Sequence, residues 1–350
     1  MVGSLLTHLL VPWLMCLDAP LNATLAQASA LPKPDRETGP LPGVTSTQAW
    51  PRYTLKIDRA WQLNVPGGKP FEASGLLWTH DGQLLTVDNS AVGLYRIQFC
   101  KGWHSLDLEL LPGLFTQPQL ASFQNQRIGP YDCEGIAEDA EGRIYVCEEG
   151  NRWILRADLK AKTLERLKID WEPVRKYFHT IDRNASFEGI AIGGGHLYVA
   201  NERARGRIIV VDLKSWKVMD DFMVQPRGSK ARDVDYSDLS WFDGALWVLL
   251  RESRCVLQVD PATHRVLAEY DFRGVEDDPE YIYSKRFPTG VMEGLAVDRD
   301  SIWLVTDNNN MGRVRFPRDA RPTLFRCLRP DVEHQNQEQA RNPAAKLKPK

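Results

Sequence analysis

The sequence predicts an all-β fold, a single β-propeller. Three observations indicate this class: a short phrase occurs five times, its copies lie about 50 to 60 residues apart, and a second apolar run follows each copy. The copies are Ser74-Gly75-Leu76, Glu134-Gly135-Ile136-Ala137, Glu188-Gly189-Ile190-Ala191, Asp238-Leu239-Ser240-Trp241 and Glu293-Gly294-Leu295-Ala296. Because blade repeats have this spacing, we expect five blades whose first strands surround one axis; a sixth, built from degenerate segments, stays open.

The other strands follow in chain order. The segment Tyr53–Ile57 precedes the first repeat and is expected to add an edge strand to the last blade, which would close the ring. Runs rich in β-branched and aromatic residues supply the second and third strands. The second-strand runs are Gln83–Val87, Arg143–Cys147, His196–Ala200, Ala245–Leu249 and Ser301–Val305. The third-strand runs are Leu94–Ile97, Trp153–Leu155, Arg207–Val211, Cys255–Val259 and Arg313–Phe316.

The propeller is expected over residues 51–328. Residues 1–30 are interpreted as an export signal, because Leu5–Leu17 is mostly apolar and small-residue cleavage positions follow at Ala26–Ala30. No Lys or Arg precedes Lys33, so a wrongly assigned start codon with a disordered leader is the alternative. Residues 31–50 form a proline-rich linker, and residues 329–350 are expected to be a disordered polar and basic tail. The predicted location is periplasmic or secreted.

Composition limits the partners. The chain has 43% apolar residues, 26% charged residues and a formal net charge of −2. Without a basic stripe, a nucleic-acid partner is not expected. The apolar run near the N-terminus is short for a bilayer span, so we expect a monomer that does not cross a membrane.

Two cysteines flank the first hairpin of the second blade. Cys133 and Cys147 lie on strands that should be adjacent and antiparallel. A disulfide between them is one interpretation if the protein is exported, and two buried thiols are the other.

The chemistry of the chain is expected from its acids. Strands in a blade alternate in direction, so the start of the first strand and the end of the second lie at the same mouth of the propeller. The inner set there is Glu134, Glu188, Asp238 and Glu293, with Ser74 in the blade-one place. The surrounding set is Asp88, Asn89, Glu148, Glu149, Asn201, Glu202, Glu252, Asp307 and Asn308. Converging carboxylates raise one another's pKa, and a cation would relieve that repulsion.

Oxygen ligands without His or Cys suit calcium, with magnesium or manganese as weaker alternatives. The expected metal ligands are Glu134, Glu188, Asp238, Glu293 and Asp307, and Asp132, Asn184 and Asp235 could add to them. The structural alternative is a clasp between blades, in which each acid pairs with an arginine or accepts backbone N–H groups.

Arginines follow several second strands at the same mouth. Arg152, Arg203, Arg251 and Arg254 either neutralise the acids or bind a small anionic ligand. We find no nucleophile motif such as G-x-S-x-G. Catalytic candidates are therefore limited to Glu188, Glu134 and His179, the histidine that precedes the third repeat.

The phrases together resemble a known group of proteins. The residues concerned are Glu134-Gly135-Ile136, Asn184 with Phe187-Glu188-Gly189, Asp238-Leu239-Ser240, Glu252-Ser253, Glu293-Gly294-Leu295 and Thr306-Asp307-Asn308-Asn309. Over about residues 53–326 the chain resembles the SdiA-regulated β-propellers and the neighbouring family called esterase-like activity of phytase. More distantly it is similar to the regucalcin and gluconolactonase propellers.

This resemblance implies a secreted or periplasmic propeller that binds calcium, and the second family's name suggests ester or phosphoester hydrolysis. In the more distant propellers an inner-strand Glu holds the channel metal, which here corresponds to Glu134 or Glu188. Ser74 in blade one and Asp238-Leu239 in blade four depart from the pattern and leave the ligand count open.

Two functional hypotheses follow. The first is an exported propeller whose calcium-binding mouth holds a small anionic ligand or an envelope protein. The alternative is a metal-dependent hydrolase of phosphoester, ester or lactone bonds that uses the same mouth. The sequence leaves open whether the protein is an enzyme.

Overall fold

The computed structural model describes residues 50–89, 93–99, 104–123, 131–179, 185–202, 206–229, 234–283 and 291–332. The predicted export signal, nearly all of the linker and most of the tail lie outside these residues. No helix in the described ranges is long and apolar enough to span a bilayer.

The chain is built almost entirely of strands. Before and in the first repeat these are β1 (Arg52–Thr54), β2 (Ile57–Asn64), β3 (Ala73–Trp78), β4 (Leu84–Asp88), β5 (Gly93–Gln98) and β6 (Ser105–Leu110). The second and third repeats give β7 (Cys133–Glu138), β8 (Ile144–Glu148), β9 (Trp153–Asp158), β10 (Thr163–Arg166), β11 (Phe187–Gly193), β12 (His196–Asn201), β13 (Arg207–Asp212) and β14 (Val218–Phe222).

The last two repeats give β15 (Tyr236–Phe242), β16 (Ala245–Leu250), β17 (Cys255–Asp260), β18 (Arg265–Asp271), β19 (Met292–Val297), β20 (Ser301–Thr306) and β21 (Thr323–Leu328). The helical segments are short: α1 (Gln117–Ala121), α2 (Arg273–Glu276) and the 3₁₀ turns Pro66–Gly68 and Glu172–Tyr177.

Within the described residues the strands form five antiparallel four-stranded units. Blades one to four are β3 to β6, β7 to β10, β11 to β14 and β15 to β18, each in chain order from the inside outward. Blade five is β19, β20, β21 and β2. The innermost strands contact one another in a closed circle, β3 to β7, β11, β15, β19 and back to β3. The prediction of an all-β propeller is confirmed.

An N-terminal strand closes the ring, but it is not the predicted segment. β1 runs parallel to β18 in blade four, where Tyr53 stacks on Tyr270 with ring centroids 5.3 Å apart. β2 instead forms the outer edge of blade five, antiparallel to β21, and also runs parallel to β6 of blade one. Buried Trp61 and Leu63 explain why this strand is held there. The N-terminal segment therefore joins the last blade to the first.

The third strand of blade five also differs from the prediction. Arg313–Phe316 alternates like a strand, but it lies in the loop between β20 and β21. The guanidinium of Arg313 is 2.6 Å from Asp319, and Arg321 pairs with the same carboxylate at 2.7 Å. Asp319 thus holds both arms of the loop together, and the strand begins only at Thr323.

The core lies between blades. Five clusters of buried apolar side chains each fill the seam between two neighbouring blades. This follows from strand geometry, because successive side chains point to opposite faces and every inner blade face is covered by its neighbour. The seams hold each blade at a fixed angle, so polar residues at the strand ends converge near the axis.

Glycines allow the innermost strands to approach closely. A Cβ added to Gly135 would lie 2.6 Å from the Cα of Gly189, and one added to Gly189 would lie 2.4 Å from the Cα of Asp238. No real side chain fits at such distances, so the glycine of the repeated phrase is a packing requirement.

Candidate metal centre

Two rings of side chains surround the mouth at which the first strands begin. In each blade the last residue of the second strand pairs with the residue at the start of the first strand. In blades one to five, that first-strand residue is Ala73, Cys133, Phe187, Tyr236 and Met292. The next residue along each first strand belongs to the inner ring: Ser74, Glu134, Glu188, Ser237 and Glu293. The residue after each second strand belongs to the outer ring: Asn89, Glu149, Glu202, Arg251 and Asp307.

Backbone hydrogen bonds set the outer ring. The N–H of Glu149 donates to the carbonyl of Asp132 at 2.8 Å, and that of Glu202 donates to Ser186 at 2.7 Å. Asp307 donates in the same way to Val291 at 2.9 Å. These bonds extend each hairpin by one residue and bring the outer-ring side chains beside the inner ones.

The strand register shows that Asp238 does not occupy the predicted inner-ring position of blade four. It pairs with Leu249, as Gly189 pairs with Ala200 and Gly294 with Val305, so Asp238 occupies the glycine position of its blade. The inner-ring residue of blade four is Ser237, which the sequence comparison missed. An alignment of the blades by the register shift near the start of each first strand identifies Ser237. An alignment by acidic residues does not.

Five carboxylates from blades two and three form two overlapping groups. Oxygen atoms of Asp132, Glu134 and Glu149 lie within 4.8 Å of one another, and so do those of Glu149, Glu188 and Glu202. Glu149 is shared by both groups. We call these five residues the blade-two/three acids. The prediction that Glu134 and Glu188 lie together is consistent with this geometry, and the groups add Asp132, Glu149 and Glu202.

Burial and mutual repulsion favour the neutral forms of the inner glutamates. Burial, and after it the charge of Asp132, raises the pKa of Glu134 well above its ordinary value, although the hydroxyl of Ser74 donates to it. Burial and then Glu202 raise the pKa of Glu188 in the same direction. Among the described residues, neither Glu134 nor Glu188 forms an ion pair, so a bound cation would displace protons from this group.

The opposite side of the mouth carries its own cation. Arg251 forms ion pairs with Glu202, Glu293 and Asp235, the last at 3.4 Å. Burial opposes the positive charge of Arg251, but the surrounding carboxylates, Glu293 foremost, raise its pKa. We call Arg251, Glu202, Asp235 and Glu293 the Arg251 cluster. It corresponds to the neutralising role that the sequence allowed for these arginines.

Asp307 belongs to this side too. It is buried at the end of the second strand of blade five. Burial, and next the charge of Glu293, raises the pKa of Asp307 to about 7. The carboxyl can therefore exchange its proton near neutral pH.

Asp238 acts as a clasp on the axis. Its Oδ2 accepts the backbone N–H of Leu295 at 2.7 Å and of Leu76 at 3.3 Å, and its Oδ1 accepts that of Leu239 at 2.8 Å. Burial raises the pKa of Asp238, and these three N–H groups oppose the rise. The fully buried carboxyl thus links blades one, four and five, as the structural alternative describes, and lies outside both carboxylate groups.

The remaining predicted ligand-binding residues have partners within the protein. Nη2 of Arg152 donates to the carbonyl of His179 at 3.0 Å, and its guanidinium lies 4.9 Å from the ring of Phe178. Arg254 pairs with Glu276 at 2.7 Å and Asp277 at 2.6 Å. His179 is not part of either carboxylate group. Arg203 and Asn184 lie outside the described residues.

The cysteines of blade two do not face one another. Cys133 packs in the seam between blades one and two, whereas Cys147 packs in the seam between blades two and three. Both are buried free thiols, as are Cys255 and Cys327. Since opposite faces of one blade separate Cys133 from Cys147, the disulfide interpretation is wrong.

Comparisons with known proteins give a family match and similar solved structures. The model of a phytase-like family, described as esterase-like activity of phytase, matches residues 72–310. Glutaminyl cyclase of Myxococcus xanthus is similar in fold, with a TM-score of 0.52 at 15% identity over 80% of this chain and 97% of that one. The PQQ-bound aldose sugar dehydrogenase of Streptomyces coelicolor scores 0.41 at 12% identity over 79% of this chain and 98% of that one. No curated protein sequence matches.

Proposed function

The chain belongs to the esterase-like activity of phytase family, and from this premise we propose that it is a calcium-dependent hydrolase of phosphate or other esters. The single observation that carries this proposal is the pair of overlapping carboxylate groups sharing Glu149. Family membership alone supports the reaction class, and the geometry supports where it takes place.

The blade-two/three acids fit a hard divalent cation. All their donors are carboxylate oxygens, which calcium binds in sets of six to eight with flexible geometry. Magnesium demands a stricter octahedron and keeps more of its waters, so it suits this crowded, all-carboxylate set less well. When bound, the cation would polarise a phosphoryl or carbonyl oxygen and make a bound water more acidic.

The protein residues supply positioning and a base. Arg251 fixes one oxygen of Glu202, and Ser74 fixes one oxygen of Glu134. Burial and neighbouring carboxylates raise the pKa values of Glu134 and Glu188, so the deprotonated form of either is a stronger base than an exposed carboxylate. We favour Glu188 as the base, through the carboxylate oxygen that does not bind the cation, because an oxygen of Glu188 lies within 4.8 Å of those of Glu149 and Glu202.

The test is turnover of p-nitrophenyl phosphate, p-nitrophenyl acetate and inositol hexakisphosphate by chelator-treated protein with calcium, magnesium or manganese added back. We expect calcium-dependent turnover that Glu188→Gln reduces by about 100-fold or more, the scale of losing a general base. The control Glu172→Gln removes an exposed carboxylate and should leave turnover unchanged. Absence of metal-dependent turnover on every substrate would refute hydrolysis.

A binding propeller is the second candidate function. The internal pairing of Arg152, Arg251 and Arg254 favours it over hydrolysis, because arginines engaged within the protein do not hold the anionic group of an ester substrate, and an envelope protein bound at the blade edges does not require them. Here calcium is structural, and the mouth or the blade edges hold a small anionic ligand or an envelope protein. Glu188→Gln would then lower the calcium-dependent melting temperature, with no turnover by the parent protein.

We also propose that the protein works outside the cytoplasm, in the periplasm or secreted. The proposal comes from the apolar and small-residue pattern of residues 1–30. N-terminal sequencing of the protein from a native cell fraction tests it: a new N-terminus near residue 31 in the envelope or medium supports export. An intact Met1 in the cytoplasm contradicts it.

A further inference from the structure

One buried amide beside the blade-two/three acids has no hydrogen-bond partner. Asn201 ends β12 and is fully buried, and within the described part of the chain neither its Oδ1 nor its Nδ2 is hydrogen-bonded. Leaving a buried polar group unsatisfied costs about 1–3 kcal/mol. An amide with both atoms unsatisfied therefore requires an explanation, and a missing ligand is one.

The direction of the side chain follows from strand alternation. Leu197 and Val199 share the face of β12 that packs in one cluster with Tyr145 and Cys147 of blade two. Asn201 is the next residue on that face, so it points into the seam between blades two and three. Glu149, two residues beyond Cys147, brings its carboxylate to Glu188 and Glu202 at the same seam.

Two members of the acid group lie near Asn201 along the chain and across the strands. Glu202 follows it directly, and its cross-strand partner Phe187 directly precedes Glu188. Asn201 is thus adjacent to Glu202 in the chain and paired with the residue that precedes Glu188. Amide oxygens are normal calcium ligands, and they add a donor without adding charge repulsion.

The equivalent positions in blades two, four and five show that the amide is not needed for folding. Leu250 occupies the place in blade four. Thr306 occupies it in blade five, where its hydroxyl accepts the N–H of Thr323 at 2.9 Å. In blade two, Glu148 accepts the N–H of Asn151 at 2.9 Å. An apolar or an internally bonded residue therefore satisfies the fold at this position, and Asn201 is neither.

We infer that the side-chain oxygen of Asn201 is a ligand of the cation held by Glu149, Glu188 and Glu202. This inference rests on the proposed calcium site and deepens it, because it assigns the site a neutral donor. The cation class is an oxygen-liganded divalent ion, with calcium as its first member.

The experiment is calorimetric titration of calcium into chelator-treated full-length protein, comparing the parent with Asn201→Leu. Leucine is the residue that blade four has at this place. We expect calcium affinity to fall about tenfold or more, as for other losses around a metal site. The melting temperature of the metal-free variant should be unchanged or higher, because an unsatisfied buried amide is removed.

The control is Asn310→Leu, which replaces an exposed amide whose Nδ2 donates to Glu72 at 2.8 Å. The calcium affinity of this variant should stay within about twofold of the parent value. A twofold change is well below the tenfold change, equal to about 1.4 kcal/mol, that we expect for Asn201→Leu. If Asn201→Leu does not fold, Asn201→Thr, the blade-five residue, replaces it with the same expectation.

The outcomes separate the two levels of the argument. A parent that binds no calcium, magnesium or manganese refutes the proposed site together with this inference. A parent that binds calcium while a folded Asn201 variant binds it equally well refutes this inference alone and leaves the carboxylate site standing.

Discussion

The side of the mouth formed by blades two and three differs from the side formed by blades four and five in the source of its positive charge. Both sides gather buried carboxylates on equivalent strand ends. In the Arg251 cluster a side chain supplies the cation, whereas the inner glutamates of blades two and three form no ion pair within the described residues. The difference shows how one repeated scaffold can place an internal ion pair on one side and, on the other, a group of carboxylates that could hold a metal ion.

Glu202 connects the two sides. One of its oxygens contacts Arg251, and an oxygen also lies within 4.8 Å of those of Glu149 and Glu188. A substitution in the Arg251 cluster should therefore also affect the blade-two/three acids. Separate substitutions in the Arg251 cluster and in the blade-two/three acids test the two sides one at a time.

The largest expected effect is that of Arg251→Gln. Its loss leaves Glu202, Glu293 and Asp235 without their shared counter-charge, and breaking such a buried pair costs about 3–5 kcal/mol. Urea unfolding at pH 7.5 in chelator should show this loss. Arg315→Gln, which breaks an exposed pair with Glu280, should cost less than about 1 kcal/mol. Equal effects of the two substitutions would mean that the Arg251 cluster contributes no more than a surface pair.

The next effect concerns Glu149, the acid shared by both carboxylate groups. Calcium at 100 times its dissociation constant should stabilise the parent by about 2.7 kcal/mol. Glu149→Gln should lose most of that gain, because one substitution removes a negative charge and one of the two carboxylate oxygens from the residue that both groups share. Melting scans with chelator and with calcium measure it, and Glu172→Gln is the control. A full calcium-dependent rise in Glu149→Gln would place the ion elsewhere.

A pH dependence should arise on the arginine side from Asp307. Its pKa is about 7 in the folded protein against an ordinary 3.8, so between these values the folded state binds more protons than the unfolded state. Stability of the metal-free protein should therefore fall as pH rises from about 4 to 7, by up to about 1.4 kcal/mol per pH unit.

Asp307→Asn cannot release this proton and should remove that part of the slope. Urea unfolding between pH 4 and 8 in chelator compares it with Asp300→Asn, a change at an exposed carboxylate. Parallel pH profiles for the parent and Asp307→Asn would contradict the assignment.

The smallest effect is expected at the axis. Asp238→Asn keeps the shape of the clasp but replaces one accepting oxygen by an amide group, while it also removes a buried ionisable carboxyl. These opposing changes should leave a net loss of about 1 kcal/mol in unfolding free energy. Calcium affinity should not change, since Asp238 belongs to neither carboxylate group. A large loss of calcium affinity would return Asp238 to the ligand set.

How much of this could be predicted from the sequence depended on whether the signal was local. The first strands could be predicted, because the repeated phrase carries a glycine where neighbouring inner strands pack closely, as at Gly135 and Gly189. The closing strand β2 was missed, since its partners β21 and β6 lie far along the chain. Arg313–Phe316 was wrongly predicted to be a strand, because alternation of apolar and polar residues alone cannot show that Asp319 holds the segment in a loop.

The site shows the same limit. Glu134 and Glu188 were predicted as candidate ligands from their repeated position, and Glu149 and Glu202 were predicted to lie at the same mouth from the ends of the second strands. The place of Asp238 depended on a backbone shift between Tyr236 and Asp238 that only the strand register reveals. The pairing of Arg251 with Glu293, 42 residues away, depends on how blades four and five are arranged around the axis.

The most direct test of the account is a crystal structure of the calcium-loaded protein with anomalous differences measured to locate the ion. We predict a calcium peak with an oxygen of Glu149 at about 2.3–2.6 Å, and none within the Arg251 cluster. A peak that displaces Arg251 from Glu293, or a calcium-loaded crystal without a peak near Glu149, would contradict the division of the mouth into an internally neutralised side and a metal-binding side.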